Sequence, residues 1–175
     1  MSITEQTITA LDQEISITRM TEHDLLEVVE IEESSGLSRW GWAAYYAELQ
    51  GSNKDLMLVA RVAEAEQRRH SPSLAGYIVG RLGADELHIN NVAVRKRYRR
   101  RGIGRELLNR ILAEGKRVGV PCAFLELRAG NAAALALYEE CGFQVTARRQ
   151  RYYSDPVEDA LVMMTERVQR LDPPP

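Results

Sequence analysis

At 175 residues the chain has room for one domain whose core needs no disulfide or structural metal. Apolar residues make up 45% and charged residues 27%, and the formal net charge of −2 excludes a surface that binds polyanions everywhere, so any basic role is local. The start, M-S-I-T-E-Q, lacks the basic-then-apolar pattern of a secretory signal, and no apolar run reaches membrane-spanning length. Cys122 and Cys141 fall in no metal or redox spacing, so two buried thiols in a cytoplasmic protein without a metal are expected.

In chain order, residues 1–14 are polar with weak pattern and read as a mobile lead-in. Ile15 to Met20 alternates apolar and polar, the mark of a half-buried strand. Thr21 can cap a helix through about Glu32, with Asp24 three residues on and Leu25, Val28, Val29 and Ile31 along one face. Ser34-Ser35-Gly36 breaks the pattern. A second helix, capped by Ser38, carries Trp40, Trp42, Tyr45, Tyr46 and Leu49 and ends near Gly51; its aromatics are core, or on one edge a ligand wall.

Leu56 to Val62, Leu74 to Leu82 and Glu86 to Val94 read as a meander of strands, with Glu64 to Ser73 as a long hairpin loop. Asn91-Val92-Ala93-Val94 then feeds a turn in which seven of the eleven residues from Arg95 to Arg105 are basic. The turn leaves through Gly102-Ile103-Gly104 into a helix to about Val118, where Ile103, Leu107, Leu108, Ile111 and Leu112 repeat along one face. A strand, a glycine-bearing turn and a helix N-terminus suit phosphate, because unpaired main-chain N–H groups and the helix dipole converge there. Arg99-x-x-Gly102-x-Gly104 is neither the three-glycine dinucleotide fingerprint nor a P-loop. A tight turn with a solvated basic face, and RNA contact, are competing readings; for the latter Tyr98 is the nearby candidate for base stacking.

Gly119 and Pro121 end the helix, and Cys122 to Arg128 is the next strand. Within it Glu126 interrupts an apolar run, which requires an ion pair, for example to Arg128, or a role as general base at a cleft. Asn131 can cap a short helix to Cys141, with Gly142 past its end, and Tyr138 lies among its alanines. A phenol with a reference pKa of about 10 remains protonated at neutral pH and can donate to a leaving thiolate. Phe143 to Tyr153 and Leu161 to Met164 read as closing strands, and residues 167–175 as a loose Pro-rich tail. The βααβββαβαββ order predicts one α/β (α+β) domain over 15–166 with a mixed central sheet.

With those positions quoted, the chain resembles the GNAT superfamily of acetyl-CoA-dependent N-acetyltransferases. The resemblance runs from Asp85 to Met164: N-V-A-V, R-x-x-G-x-G, Leu125-Glu126-Leu127-Arg128-Ala129-Gly130-Asn131, Ala136-Leu137-Tyr138-Glu139-x-x-Gly142-Phe143, then Arg149-x-Arg151-Tyr152-Tyr153 with Glu158-Asp159-Ala160 and Met163. The L-E-L-R-A-x-N and R-x-Y-Y elements are similar to the ribosomal-protein-alanine N-acetyltransferase (RimI-type) branch.

The resemblance implies a GNAT fold with a mostly antiparallel sheet and acetyl-CoA as cosubstrate. It assigns Val92, Ala93 and Val94, flanking a β-bulge, to the acetyl carbonyl and pantetheine arm. Arg99, Arg100, Arg101, Gly102, Ile103, Gly104 and Arg105 would meet the pyrophosphate, and Asn131 would also contact the cofactor. Glu126 becomes the base and Tyr138 the acid, while Trp40, Asn91, Tyr152 and Tyr153 fall to the acceptor. Gly130 replaces a frequent serine, and Leu37-Ser38-Arg39-Trp40 replaces a frequent F-P-W-S. The implied acceptor is a protein N-terminus, foremost an alanine-initiated small-subunit ribosomal protein, with no direct nucleic-acid or membrane role. The alternatives are a small-molecule amine or a protein lysine as acceptor, or a non-catalytic module binding CoA or RNA.

Overall fold

The computed structural model describes residues 6–10, 13–36, 40–51, 56–62, 74–83 and 85–166. Strands β1 (Gln6–Ala10) and β2 (Gln13–Arg19) precede helices α1 (Leu25–Ser35) and α2 (Gly41–Leu49). Strands β3 (Met57–Val62), β4 (Leu74–Leu82) and β5 (Glu86–Val94) lead to helix α3 (Ile103–Arg117). Strand β6 (Cys122–Arg128), helix α4 (Ala132–Glu140) and strands β7 (Gln144–Ser154) and β8 (Val157–Thr165) complete the order. The fold is mixed α/β and mostly antiparallel, as expected: among the registered strand pairs only β5–β6 is parallel.

The chain divides into two compact units, Met1–Gly80 with Asn91–Leu107, and Arg81–Asn90 with Leu108–Pro175. In the first, β1, β2, β3 and β4 form an antiparallel ladder. Gln6–Ala10, within the stretch expected as a lead-in, pairs as a strand with Gln13–Ile17. Leu25, Val28 and Ile31 of α1 pack with Tyr45, Met57, Val59, Tyr77, Val79 and Ala93.

A short 3-10 turn, Glu22–Asp24, opens α1. Asp24 Oδ2 accepts from Thr21 N at 2.7 Å and from Thr21 Oγ1 at 2.9 Å, and also takes Arg61 Nη2 at 2.8 Å. The helix runs through Ser34 and Ser35, past the expected break, and stops where Gly36 takes φ 67. Gly76 on β4 lies so close to β5 that an added Cβ would fall 2.6 Å from the carbonyl oxygen of Ala93. The Ser38 cap, the Glu64–Ser73 loop and the 167–175 tail lie outside the described residues.

In the second unit β6 pairs with the 86–89 part of β5 on one side and with β8 on the other, and β7 adds to β8. On β6, Ala123, Leu125 and Leu127 are buried, while Phe124, Glu126 and Arg128 share a half-buried face. Asn131 caps α4 by accepting from Ala134 N at 3.1 Å. Gly142, with φ 89, closes its C-terminus as Phe143 N donates to Tyr138 O at 3.0 Å and Gly142 N to Glu139 O at 2.9 Å. Strand β8 begins at Val157, four residues before the expected Leu161. Helix α3 gives Ile103 and Leu107 to the first unit and Leu108 and Ile111 to the second, all buried. Cys141 is buried, Cys122 is half-buried, and neither is in a disulfide.

Candidate functional site

In the first unit, β5 runs into the basic turn through a 3-10 turn at Lys96–Tyr98. Arg95 turns inward, pairing with Glu27 at 3.2 Å and Glu30 at 3.0 Å and donating to Leu74 O. It fastens the turn to α1 and β4. Tyr98 is buried, with Arg97 4.8 Å and Arg101 5.6 Å from its ring centroid, so it offers no exposed face for a base to stack on. Arg99 Nε donates to Val94 O at 2.9 Å.

The peptide planes then reverse at Arg100 (φ 64) and Gly102 (φ 80). A Cβ built on Gly102 would meet only the far end of Arg105, at 3.6 Å. Ile103 points its side chain into the core, leaving only its main chain for a ligand. Glu106 N bonds back to Gly102 O, and the first-turn amides of α3 have no intrahelical acceptors. An alternating turn followed by free helical amides fits a diphosphate.

A buried polar network, which the sequence reading did not anticipate, lies in the same unit. Glu32 is 1% exposed. Its carboxylate accepts from Trp40 N at 2.9 Å, Gly41 N at 3.0 Å and the Tyr45 hydroxyl at 2.7 Å. The Tyr45 hydroxyl also meets that of Tyr77 at 2.9 Å and accepts from Asn91 Nδ2 at 3.0 Å. Burial, foremost, holds the Tyr45 and Tyr77 phenols well above their ordinary pKa, so both stay neutral. Asn91 thus spends its amide inside this network. Trp40 packs on Tyr45 with ring centroids 5.4 Å apart, whereas Trp42 and Tyr46 stack on each other at the surface, 4.8 Å apart. The available signal was an acid seven residues after Leu25, on the apolar stripe of α1.

The second unit contains Glu126 and Tyr138, expected as base and acid. Glu126 Oε1 pairs with Arg149 Nη1 at 2.8 Å. Its predicted partner Arg128 binds Glu158 at 3.2 Å and the carbonyls of Asp155 and Pro156 instead. Tyr152 hydrogen-bonds Glu126, and that bond, ahead of burial, pushes the phenol above its ordinary value and keeps it a donor. Tyr153 sits under Arg128, 4.2 Å from guanidinium to ring centroid.

The two tyrosines approach each other in a T-shape, centroids 5.2 Å apart, because β7 slips register against β8 between Arg149 and Tyr153. Arg151 takes φ 51 there, and Asp159 fixes the kink by accepting from Arg151 N at 2.8 Å and Arg148 Nε at 2.7 Å. Tyr138, the one buried side chain of α4, lies edge-on to Phe143. Burial, then the neighbouring Tyr153, raises its phenol pKa well above 10. Asn131 is exposed, its oxygen engaged in the cap. Among the described residues no group of three His, Cys, Asp or Glu could hold a metal, and no helix is long and apolar enough to cross a membrane.

Residues 25–143 match the profile of the Acetyltransferase (GNAT) family. The chain is 39% identical over 99 residues to ribosomal protein bS18-alanine N-acetyltransferase of Escherichia coli (strain K12), spanning 55% of this chain and 67% of that protein. It is 33% identical over 162 residues to the N-alpha-acetyltransferase RimI of Mycobacterium tuberculosis, covering 89% and 95% of the two chains. The crystal structure of the ribosomal-protein-S18-alanine N-acetyltransferase from Escherichia coli superposes with a TM-score of 0.70 at 31% identity, over 86% of this chain and 92% of that one.

Proposed function

The chain belongs to the GNAT family of acetyltransferases, and on that premise we propose that it moves the acetyl group of acetyl-CoA onto the α-amine of a protein N-terminus, foremost an alanine-initiated small-subunit ribosomal protein. The observation that carries this reading is the half-buried Glu126, held between Arg149 and Tyr152 in the unit that also contains Tyr138. The names of the bacterial relatives support the acceptor class.

Acetyl-CoA supplies the acetyl thioester. Main-chain amides from Arg100 to Arg105 hold its diphosphate, Val92 to Val94 hold the pantetheine arm and acetyl carbonyl, and Asn131 adds a cofactor contact. Tyr152 and Tyr153, beside Glu126, serve the acceptor. Glu126 takes the proton of the attacking amine. An α-amine titrates near 8 and a lysine near 10.4, so the terminal amine leaves a carboxylate base roughly two units less to overcome. A thiol titrates near 8.5, below even an ordinary phenol, so full proton transfer from Tyr138 to the leaving sulfur is uphill. Tyr138 acts as a hydrogen-bond donor to the charge developing on sulfur.

Glu126→Gln and Tyr138→Phe should each cut turnover about 10²- to 10⁴-fold while sparing acetyl-CoA affinity. Full turnover in both variants removes these residues from the chemistry. Peptides with a free N-terminal alanine should be acetylated, and N-blocked lysine peptides should not. Mass spectrometry of ribosomal-protein N-termini with and without this protein would then name the target.

A further inference from the structure

Strands β5 and β6 run parallel in register from Glu86–Cys122 to Ile89–Leu125. His88 and Phe124 share a rung, and their rings stack 4.1 Å apart at 15°, so they stand on one face. Side chains alternate along both strands, so the next residues on that face, just past the last registered pair, are Asn90 and Glu126. The amide oxygen of Asn90 is buried and has no hydrogen-bond partner among the described residues. A buried acceptor left unmet is costly, and in a native protein it points to a partner. The Asn90 side chain as a whole is only half-buried, and a turn about its Cβ–Cγ bond can present the oxygen to an incoming group.

We propose that Asn90 is a positioning residue for the acceptor: its amide oxygen and the Glu126 carboxylate take the two N–H groups of a neutral primary amine and leave its lone pair aimed at the thioester carbon. This rests on the N-terminal acetyl transfer proposed above. In the step the N–C bond forms and the C–S bond breaks, and the sulfur departs with the electron pair. One amine proton passes to Glu126. The other stays on the product amide, still bonded to Asn90. Selection for primary amines follows, since a secondary amine brings a single N–H.

The test is steady-state kinetics on an alanine-initiated peptide, with acetyl-CoA dissociation constants measured alongside, for wild type, Asn90→Leu and Asn90→Asp. The leucine variant keeps the bulk and loses the acceptor, whereas the aspartate variant keeps an acceptor oxygen. The expected result is a fall in kcat/KM of about ten- to a hundredfold for Asn90→Leu, largely restored in Asn90→Asp, with acetyl-CoA affinity held within about twofold. Peptide kinetics unchanged in Asn90→Leu would overturn the proposal, as would both variants losing acetyl-CoA affinity together. A wild-type protein that binds acetyl-CoA but acetylates no free N-terminus removes the acceptor reading and this inference with it. An active wild type with an indifferent Asn90→Leu removes this inference alone.

Discussion

Replacing Glu32 tests whether a single buried carboxylate fixes the start of α2. Oε1 serves Trp40 N and the Tyr45 hydroxyl, and Oε2 serves Gly41 N. In Glu32→Gln the amide oxygen can keep the first two donors only by turning its NH2 against Gly41 N–H. One charge-assisted bond is lost and a buried donor is stranded, at a cost of about 1.5–3 kcal/mol. Glu32→Ala strands all three donors and opens a cavity, for about 3 kcal/mol or more. Against a total stability of about 5–15 kcal/mol, neither effect is small. Urea unfolding reads both: with a slope of about 1–3 kcal/mol/M, Glu32→Gln should bring the midpoint down by roughly 1 M and Glu32→Ala further. An equal slope with a midpoint unchanged to within about 0.2 M in Glu32→Gln would refute the reasoning, because the three donors would then have found other acceptors.

Gly76→Ala forces a Cβ to within 2.6 Å of Ala93 O and 3.2 Å of Val94 Cα, both backbone atoms that cannot swing aside. We expect a loss of about 1–3 kcal/mol in thermal or urea melting, and an unchanged melt would mean β4 and β5 separate freely at this point. Asp159→Asn probes the β7 kink through pH. The Arg151 N–H first, then Arg148, holds the Asp159 carboxyl below its ordinary value. Its stabilisation is therefore present above the unfolded-state value near 4 and is lost as pH falls through the lower folded value. The variant should melt below wild type at pH 7, with the gap closing in strong acid. A gap independent of pH would refute the assignment.

The central elements were legible because their local patterns agree with their tertiary roles. Continuous apolar runs marked β4 and β6, alternation marked β5, the 3.6-residue stripe marked α3, and Asn131 with Gly142 marked both ends of α4. Strand β1 was hidden because Gln6–Ala10 has one large apolar residue, and its pairing with β2 supplies what composition does not. Partner choice was beyond local reading. Glu126 had a ready cation two residues away, yet pairs with Arg149 on β7, which lies two strands over in the sheet. Arg95 looked like part of the anion-binding cluster and is instead a tie to α1, which becomes visible only when Glu27 and Glu30 are placed beside it. Glu32 carried its own clue as an acid on an apolar stripe, but its donors come from the start of α2 and from Tyr45 within that helix.

A regular strand sends consecutive side chains to opposite sides, so Tyr152 and Tyr153 attend Glu126 and Arg128 together through the bulge centred on Arg151, where residues 150–152 of β7 face Asp159 alone on β8. The phase of that stretch consequently decides which side chains reach the face that holds Glu126. Removing one residue between Arg149 and Tyr152 would leave composition and charge almost untouched, yet would swing one phenol to the far side of the sheet. Length variation here is therefore a sharper lesion to this face than most single replacements, and deleting Gln150 would deliver it with Arg149, Arg151, Tyr152 and Tyr153 all retained.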